Sequence, residues 1–146
     1  MRELPRQLTV ERLAELFEGR TRLVERLATV EDPLGRVDDV LASLTDDEKL
    51  EALNAHPAIG RRGGLSARSA AEQGDDSDPV VLAELASLNE VYEEKFGFRF
   101  VVFVGGRPKR EVLEVLRARI ARTRAEELET GCRELVAIAR DRWTRT

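Results

Sequence analysis

Little in this chain of 146 residues lends itself to metal or disulfide chemistry, for it holds one cysteine, Cys132, and one histidine, His56. A lone cysteine excludes an internal disulfide, and one histidine with one cysteine cannot complete a structural zinc shell. A carboxylate-held metal is only disfavoured: Asp75, Asp76 and Asp78 lack the spacing and the glycine of a calcium loop and read as a solvated turn and a helix cap. No apolar run is long enough for a membrane span. Positive charge is not in excess, since Lys+Arg 24 against Asp+Glu 28 gives a net charge of −4. No global basic field is therefore available to neutralise nucleic-acid phosphates or to hold an anionic membrane, and neither is expected as a partner. The start Met1-Arg2-Glu3-Leu4-Pro5 lacks the apolar core of a signal peptide, and Thr144-Arg145-Thr146 is not a peroxisomal tail, so a cytoplasmic location is expected.

What is present suits one domain over 1–146. The chain is 42% hydrophobic and 36% charged, enough apolar mass for one core and too much for disorder. Thr9 precedes Val10, Leu13, Leu16 and Phe17, a helical stripe with Gly19 as its stop. Leu23, Val24, Leu27 and Val30 repeat the spacing ahead of Asp32-Pro33, and Val37, Val40, Leu41 and Leu44 continue it. Thr45 with Glu48 is a capping box for a helix that has to end at His56, because Pro57 pushes the residue before it out of the α region. Ser69 and Glu72 form a second capping-box pattern. Asp78-Pro79 opens a longer helix striped by Val81, Leu82, Leu85, Leu88, Tyr92 and Phe96, with Gly97 as terminator. From Lys109 onward Val112, Val115, Leu116 and Ile120 mark a helix with an arginine-rich outer face, and Leu128, Leu135, Val136, Ile138 and Ala139 carry helix almost to the end despite Gly131. Between these lies the aromatic and β-branched run from Phe98 to Val104, with no second run to pair with it. The expected fold is an all-α, single-domain helical bundle with one short extended segment around 98–104.

Candidate chemistry is sparse, and each group has a plainer reading. His56 titrates near neutral pH and sits at a helix exit, where it is either a general acid/base or a cap on the last carbonyls. Ser69, Glu72 and Gln73 lie in a first helical turn whose free N–H groups favour anions, so capping and pocket lining are compatible. The run around Phe98, Phe100 and Val102 is core by its composition. Its extended backbone nonetheless carries donors and acceptors that a ureide-like ligand would match. Arg142 is by number a solvated helix charge, and Cys132 beside Leu128 and Leu135 is most simply core.

Taken in order, four blocks resemble one family: His56-Pro57-x-Ile59-Gly60, Ser69-x-x-Glu72-Gln73, Leu88-Asn89-x-x-Tyr92-x-x-Lys95-Phe96-Gly97-Phe98-x-Phe100-Val101-Val102, and Glu134-x-x-x-Ile138-Ala139-x-x-Arg142. The family is 2-oxo-4-hydroxy-4-carboxy-5-ureidoimidazoline (OHCU) decarboxylase, which forms (S)-allantoin at the end of urate breakdown, and the resemblance covers nearly the whole chain. It implies an all-helical homodimer that needs no metal or organic cofactor, acting on a small ureidoimidazoline. It also implies His56 as catalytic acid/base with Glu72 as its partner or as a hold on the ureido group. Pro57, Ser69 and Gln73 would line the substrate, Arg142 would meet a carbonyl or carboxylate, and the backbone at Phe98, Phe100 and Val102 would read an amide edge. Ala58, Gly105 and Trp143 depart from the family pattern and leave substrate choice open. Two alternatives stand beside this reading: a non-catalytic helical interaction module, and a paralogue decarboxylating a related ureide.

Overall fold

The computed structural model describes residues 4–58 and 78–145. Among them are seven α-helices and no strand: α1 Val10–Phe17, α2 Arg22–Leu27, α3 Pro33–Ser43, α4 Asp46–Asn54, α5 Pro79–Phe96, α6 Lys109–Ile120 and α7 Arg124–Thr144. The expected all-α architecture with an extended 98–104 segment is the one observed. The capping-box pattern at Ser69 and Glu72, with Gln73 and the acidic Asp75 and Asp76, lies outside the described residues.

Capping chemistry sets most boundaries. Thr9 and Thr21 accept from the N–H groups of Arg12 and Val24, and Thr45 and Glu48 close the anticipated capping box. Asp78 caps α5 ahead of Pro79, and Gly97 ends it at φ 79°. Two boundaries differ from expectation. α1 stops at Phe17, two residues before Gly19, with Glu18 itself in the left-handed region at φ 64°. The helical pattern after Lys109 is also broken at Ala121–Thr123, because Thr123 and Glu126 form a further capping box that starts α7.

α7 is the spine, packing against α1, α3 and α4, while α2 bridges α1, α3 and α4, and α5 pairs with α6. Leu13, Leu16, Leu23, Leu53, Tyr92, Leu116 and Leu135 are buried at the centre. Gly131 has a reason to interrupt α7: a Cβ there would lie 3.2 Å from a Leu53 methyl carbon, so the bare backbone lets α4 come close. The extended segment runs through the core, with Phe98, Phe100, Val101, Val102 and Val104 all buried. Phe98 and Phe100 pack around Tyr92 at ring-centre distances of 6.0 and 5.2 Å.

The arginine-rich face of α6 is not wholly outward. Arg119 is buried, donating to Glu127 at 2.7 Å and to the Val101 carbonyl at 2.7 Å. Glu127, fully buried, also accepts from the Tyr92 hydroxyl at 2.6 Å and from Arg122 at 2.9 Å. Three donors around one carboxylate explain why a charge is tolerated there. The network ties α5, α6 and α7 to the extended segment.

Candidate active site

His56 follows α4 directly. Ala55 closes the helix, and the His56 N–H donates to the Leu53 carbonyl at 3.2 Å in a last tight turn. The side chain is 5% exposed. Its Nε2 is buried and has no hydrogen-bond partner among the described residues. His56 is thus no simple cap through that nitrogen, and a buried polar atom left unpaired calls for a functional explanation.

Arg142 comes from the last turn of α7 and is 1% exposed, which removes the reading of it as a solvated charge. One terminal nitrogen donates to the Leu16 carbonyl at 3.2 Å, and the other lies 3.1 Å from a carboxylate oxygen of Glu18. The C-terminal end of α1 exposes carbonyls that a guanidinium satisfies well, and the left-handed turn at Glu18 brings the carboxylate to the same fork. His56 lies in the field of this pair. Burial first, then the Arg142 guanidinium, push its pKa from 6.5 down to about 4, with Glu18 opposing and Arg99 adding to the depression. The imidazole is therefore neutral at pH 7, with its proton-accepting nitrogen unprotonated.

The extended segment reaches this centre through Arg99. Its N–H donates to the Asn54 side-chain carbonyl at 2.9 Å, and its guanidinium donates to the His56 carbonyl at 2.6 Å and to Glu93 at 3.1 Å. Further along, the Val101 carbonyl accepts from Arg119, and the Phe103 N–H donates to Glu134 at 3.3 Å. Over residues 98–103 the backbone bonds thus fall on 99, 101 and 103, and at the end of the run the Val104 carbonyl accepts from the Arg107 N–H at 3.1 Å and from its side chain at 3.0 Å. Among the described residues, the backbone groups of Phe98, Phe100 and Val102 make none. In extended chain alternate residues turn their N–H and C=O groups to opposite sides, so those three present one common edge.

Of the sequence-predicted residues, the structure brings His56 and Arg142 together and joins the segment carrying Phe98, Phe100 and Val102 to the His56 carbonyl. Pro57 is partly buried beside His56. Ser69, Glu72 and Gln73 lie outside the described residues. Glu18, Arg99 and Asn54 were missed. Glu18 and Arg99 are single members of an abundant charge class, and only tertiary contact distinguishes them. Cys132 is buried, and burial pushes its thiol up to about 11, so it is no nucleophile at neutral pH. A separate groove of about 1030 Å³ between α3, α4 and α7, floored by Leu41, Leu128 and Val136, contains none of the predicted site residues.

The family model described as OHCU decarboxylase matches residues 2–144. Among curated relatives, a 2-oxo-4-hydroxy-4-carboxy-5-ureidoimidazoline decarboxylase of Xenopus laevis is 33% identical over 119 residues, covering 76% of this chain and 68% of that protein. The uric acid degradation bifunctional protein PucL of Bacillus subtilis is 26% identical over 153 residues, covering 97% of this chain; the chain spans only 31% of that relative's length. A crystal structure of an OHCU decarboxylase in the presence of (S)-allantoin superposes with a TM-score of 0.76 at 25% identity, covering 92% of this chain and 96% of that one.

Proposed function

The chain belongs to the OHCU decarboxylase family, and from that premise we propose that it decarboxylates 2-oxo-4-hydroxy-4-carboxy-5-ureidoimidazoline to (S)-allantoin. Where relatives are bifunctional, this chain corresponds to the decarboxylating part. The observation that carries the reading is His56: buried, neutral at pH 7, with an Nε2 that has no partner among the described residues and lies in the field of Arg142.

The chemistry asks for little beyond orientation and one mobile proton. The substrate's C4 carries a hydroxyl and a carboxylate, and the neighbouring C5 is part of a C=N bond. When the C4 to carboxylate bond breaks, CO2 departs and the electron pair moves into the C4–C5 bond while the ring nitrogen takes the charge. The substrate supplies its own electron sink. His56 Nε2 accepts the C4 hydroxyl proton, the imidazolium returns a proton to one face of C5, and the ring nitrogen that took the charge picks up a proton from solvent, leaving a C4 carbonyl and a single stereoisomer. A low resting pKa keeps the imidazole in the accepting form, and the anionic substrate offsets the Arg142 field so that the transferred proton can be held.

Arg142 would meet a carbonyl or the carboxylate, with Glu18 fixing its fork. The common edge of Phe98, Phe100 and Val102 would pair with the alternating donors and acceptors of the ureide. Glu72 would orient the imidazole or hold the ureido N–H groups, with Ser69, Gln73 and Pro57 lining the remainder. No metal or organic cofactor enters this scheme. A cytoplasmic homodimer of one-domain subunits is part of the proposal.

The test follows optical activity at allantoin wavelengths while urate oxidase and the hydrolase that acts on its product generate the substrate in situ. Rapid formation of (S)-allantoin, above the racemic background of spontaneous decay, is expected with the wild-type chain and not with His56→Asn. A signal equal to the protein-free control from folded protein would end the assignment.

A further inference from the structure

Arg99 occupies the one position in the run from Phe96 to Val102 that the family resemblance leaves unspecified, yet it makes three contacts that no neighbouring side chain duplicates. Its backbone N–H holds Asn54 in the last turn of α4, its Nε pairs with Glu93 of α5, and its Nη1 donates to the His56 carbonyl at 2.6 Å. The His56 carbonyl lies beyond the end of α4, where helix geometry gives it no partner. Pro57 contributes no N–H to this region and restricts His56 to extended backbone. A planar guanidinium tied at its other end to Glu93 therefore fixes the direction of that carbonyl. Through the same peptide it fixes the stem from which the imidazole projects.

We propose that Arg99 is the positioning residue of His56: it clamps the peptide after α4 to α5 so that the unpartnered Nε2 is held in one orientation without being held by a hydrogen bond of its own. This rests on the reading of His56 as the acid/base. A side chain that must give and take a proton at one ring nitrogen cannot also spend that nitrogen on a structural bond, so a clamp on the backbone from which the ring projects adds to its orientation. The charges facing the imidazole are Arg142 from α7, Glu18 from α1 and Arg99 itself, which Glu93 partly offsets.

Because His56 is the only histidine, its ring C–H resonance reports it unambiguously in a labelled sample, without any need for turnover. Arg99→Met keeps the backbone bond to Asn54 and removes the clamp. It is expected to lower kcat by about 10- to 100-fold with KM within about twofold, the cost of a misplaced catalytic group. The ring resonance should broaden or split, and its titration midpoint should rise. Arg99→Lys keeps the charge but cannot serve Glu93 and the carbonyl together. It should retain the low midpoint while losing most of the kcat. Wild-type kcat with a single unmoved ring signal in Arg99→Met would overturn the proposal, as would a change in KM alone, which would make Arg99 a substrate contact. Should Arg99→Met not fold, Arg99→Lys carries the test, and wild-type kcat in that variant would be equally fatal to it. Should the wild-type chain form no (S)-allantoin, the functional reading fails while the ring resonance still decides whether Arg99 orients the imidazole.

Discussion

At the scale of single residues, the proposed chemistry rests on the two groups with the least local distinction. His56 is one imidazole at a helix end, and Arg142 is one of 24 basic residues. Nothing in helical periodicity separates them from a cap and a solvated charge; only their membership in ordered blocks did. Burial then supplies the physical reason for each. His56→Asn removes the proton carrier while filling similar space, and the expected result is a folded protein without turnover, read by helical circular dichroism beside the allantoin assay. Arg142 has a double role, because its fork satisfies the Leu16 carbonyl and faces Glu18. Arg142→Met should cost about 3 kcal/mol in urea unfolding, since it leaves Glu18 without its guanidinium. Arg142→Lys should raise KM more than it lowers stability, because a point charge cannot reproduce a planar fork. Unchanged kinetics in the lysine variant would place Arg142 outside the site. Two of the three departures noted in the sequence, Gly105 and Trp143, also find their setting here. Gly105 stands at φ 58° in a left-handed turn, where any side chain would be strained. Trp143 is a buried wall of α7 against which the Arg12 guanidinium lies at 5.4 Å from the ring centre.

At the scale of elements, caps were legible and tertiary polar networks were not. Thr9, Thr45, Asp78 and Gly97 announced their boundaries because a cap is a local hydrogen bond with a fixed spacing. Thr123 and Glu126 obey the same rule and were overlooked, since the apolar stripe continues through them and suggests one unbroken helix. Thr123→Ala should cost about 1 kcal/mol, measurable as a shift of the urea midpoint. The most specific block of the sequence, from Leu88 to Val102, proves to be largely a folding motif. Tyr92, Phe96 and Phe98 form the aromatic cluster, and Lys95 caps the Ile120 carbonyl of α6. Arg124 donates to the Phe96 carbonyl at 2.8 Å. In the proposed reading its part toward substrate is indirect, through the run of backbone that it anchors. Tyr92→Phe should cost roughly 1 to 2 kcal/mol, because buried Glu127 loses one of its donors and keeps the other two. Burial and the bond to Glu127 already hold the Tyr92 hydroxyl above its usual range, so no ionisation of this phenol enters at working pH. Gly131→Val tests the closeness of α4 and α7. Its Cβ would press on Leu53, and a loss of about 2 kcal/mol is expected from overpacking.

At the scale of the whole molecule, the site gathers groups from opposite ends of the chain, Glu18 from α1, His56 after α4, Arg99 from the extended segment and Arg142 from α7. The all-α class was readable because apolar spacing is a local property, whereas this convergence depends on which faces meet, and no spacing encodes that. One consequence is that the protonation of His56 is coupled to global folding. In the folded chain the imidazole titrates near 4, and in the unfolded chain near 6.5. Between these values the unfolded state binds more protons, so stability rises with pH through this window. The contribution is fully present above about pH 6.5 and is lost as pH falls toward 4, with a total near 3 kcal/mol for a depression of this size. The carboxylates of Glu48 and Glu126, held low by the backbone N–H groups they cap, add their own acid sensitivity only below the usual carboxylate range, outside the upper part of this window. Urea unfolding at pH 7 and pH 5 isolates the histidine: the wild-type chain should lose roughly 2 kcal/mol between the two, and His56→Asn should lose much less. An equal loss in both proteins would mean that the folded imidazole takes up its proton as readily as the unfolded one. The burial-depressed His56 on which the proposed decarboxylation mechanism is built would then have to be given up.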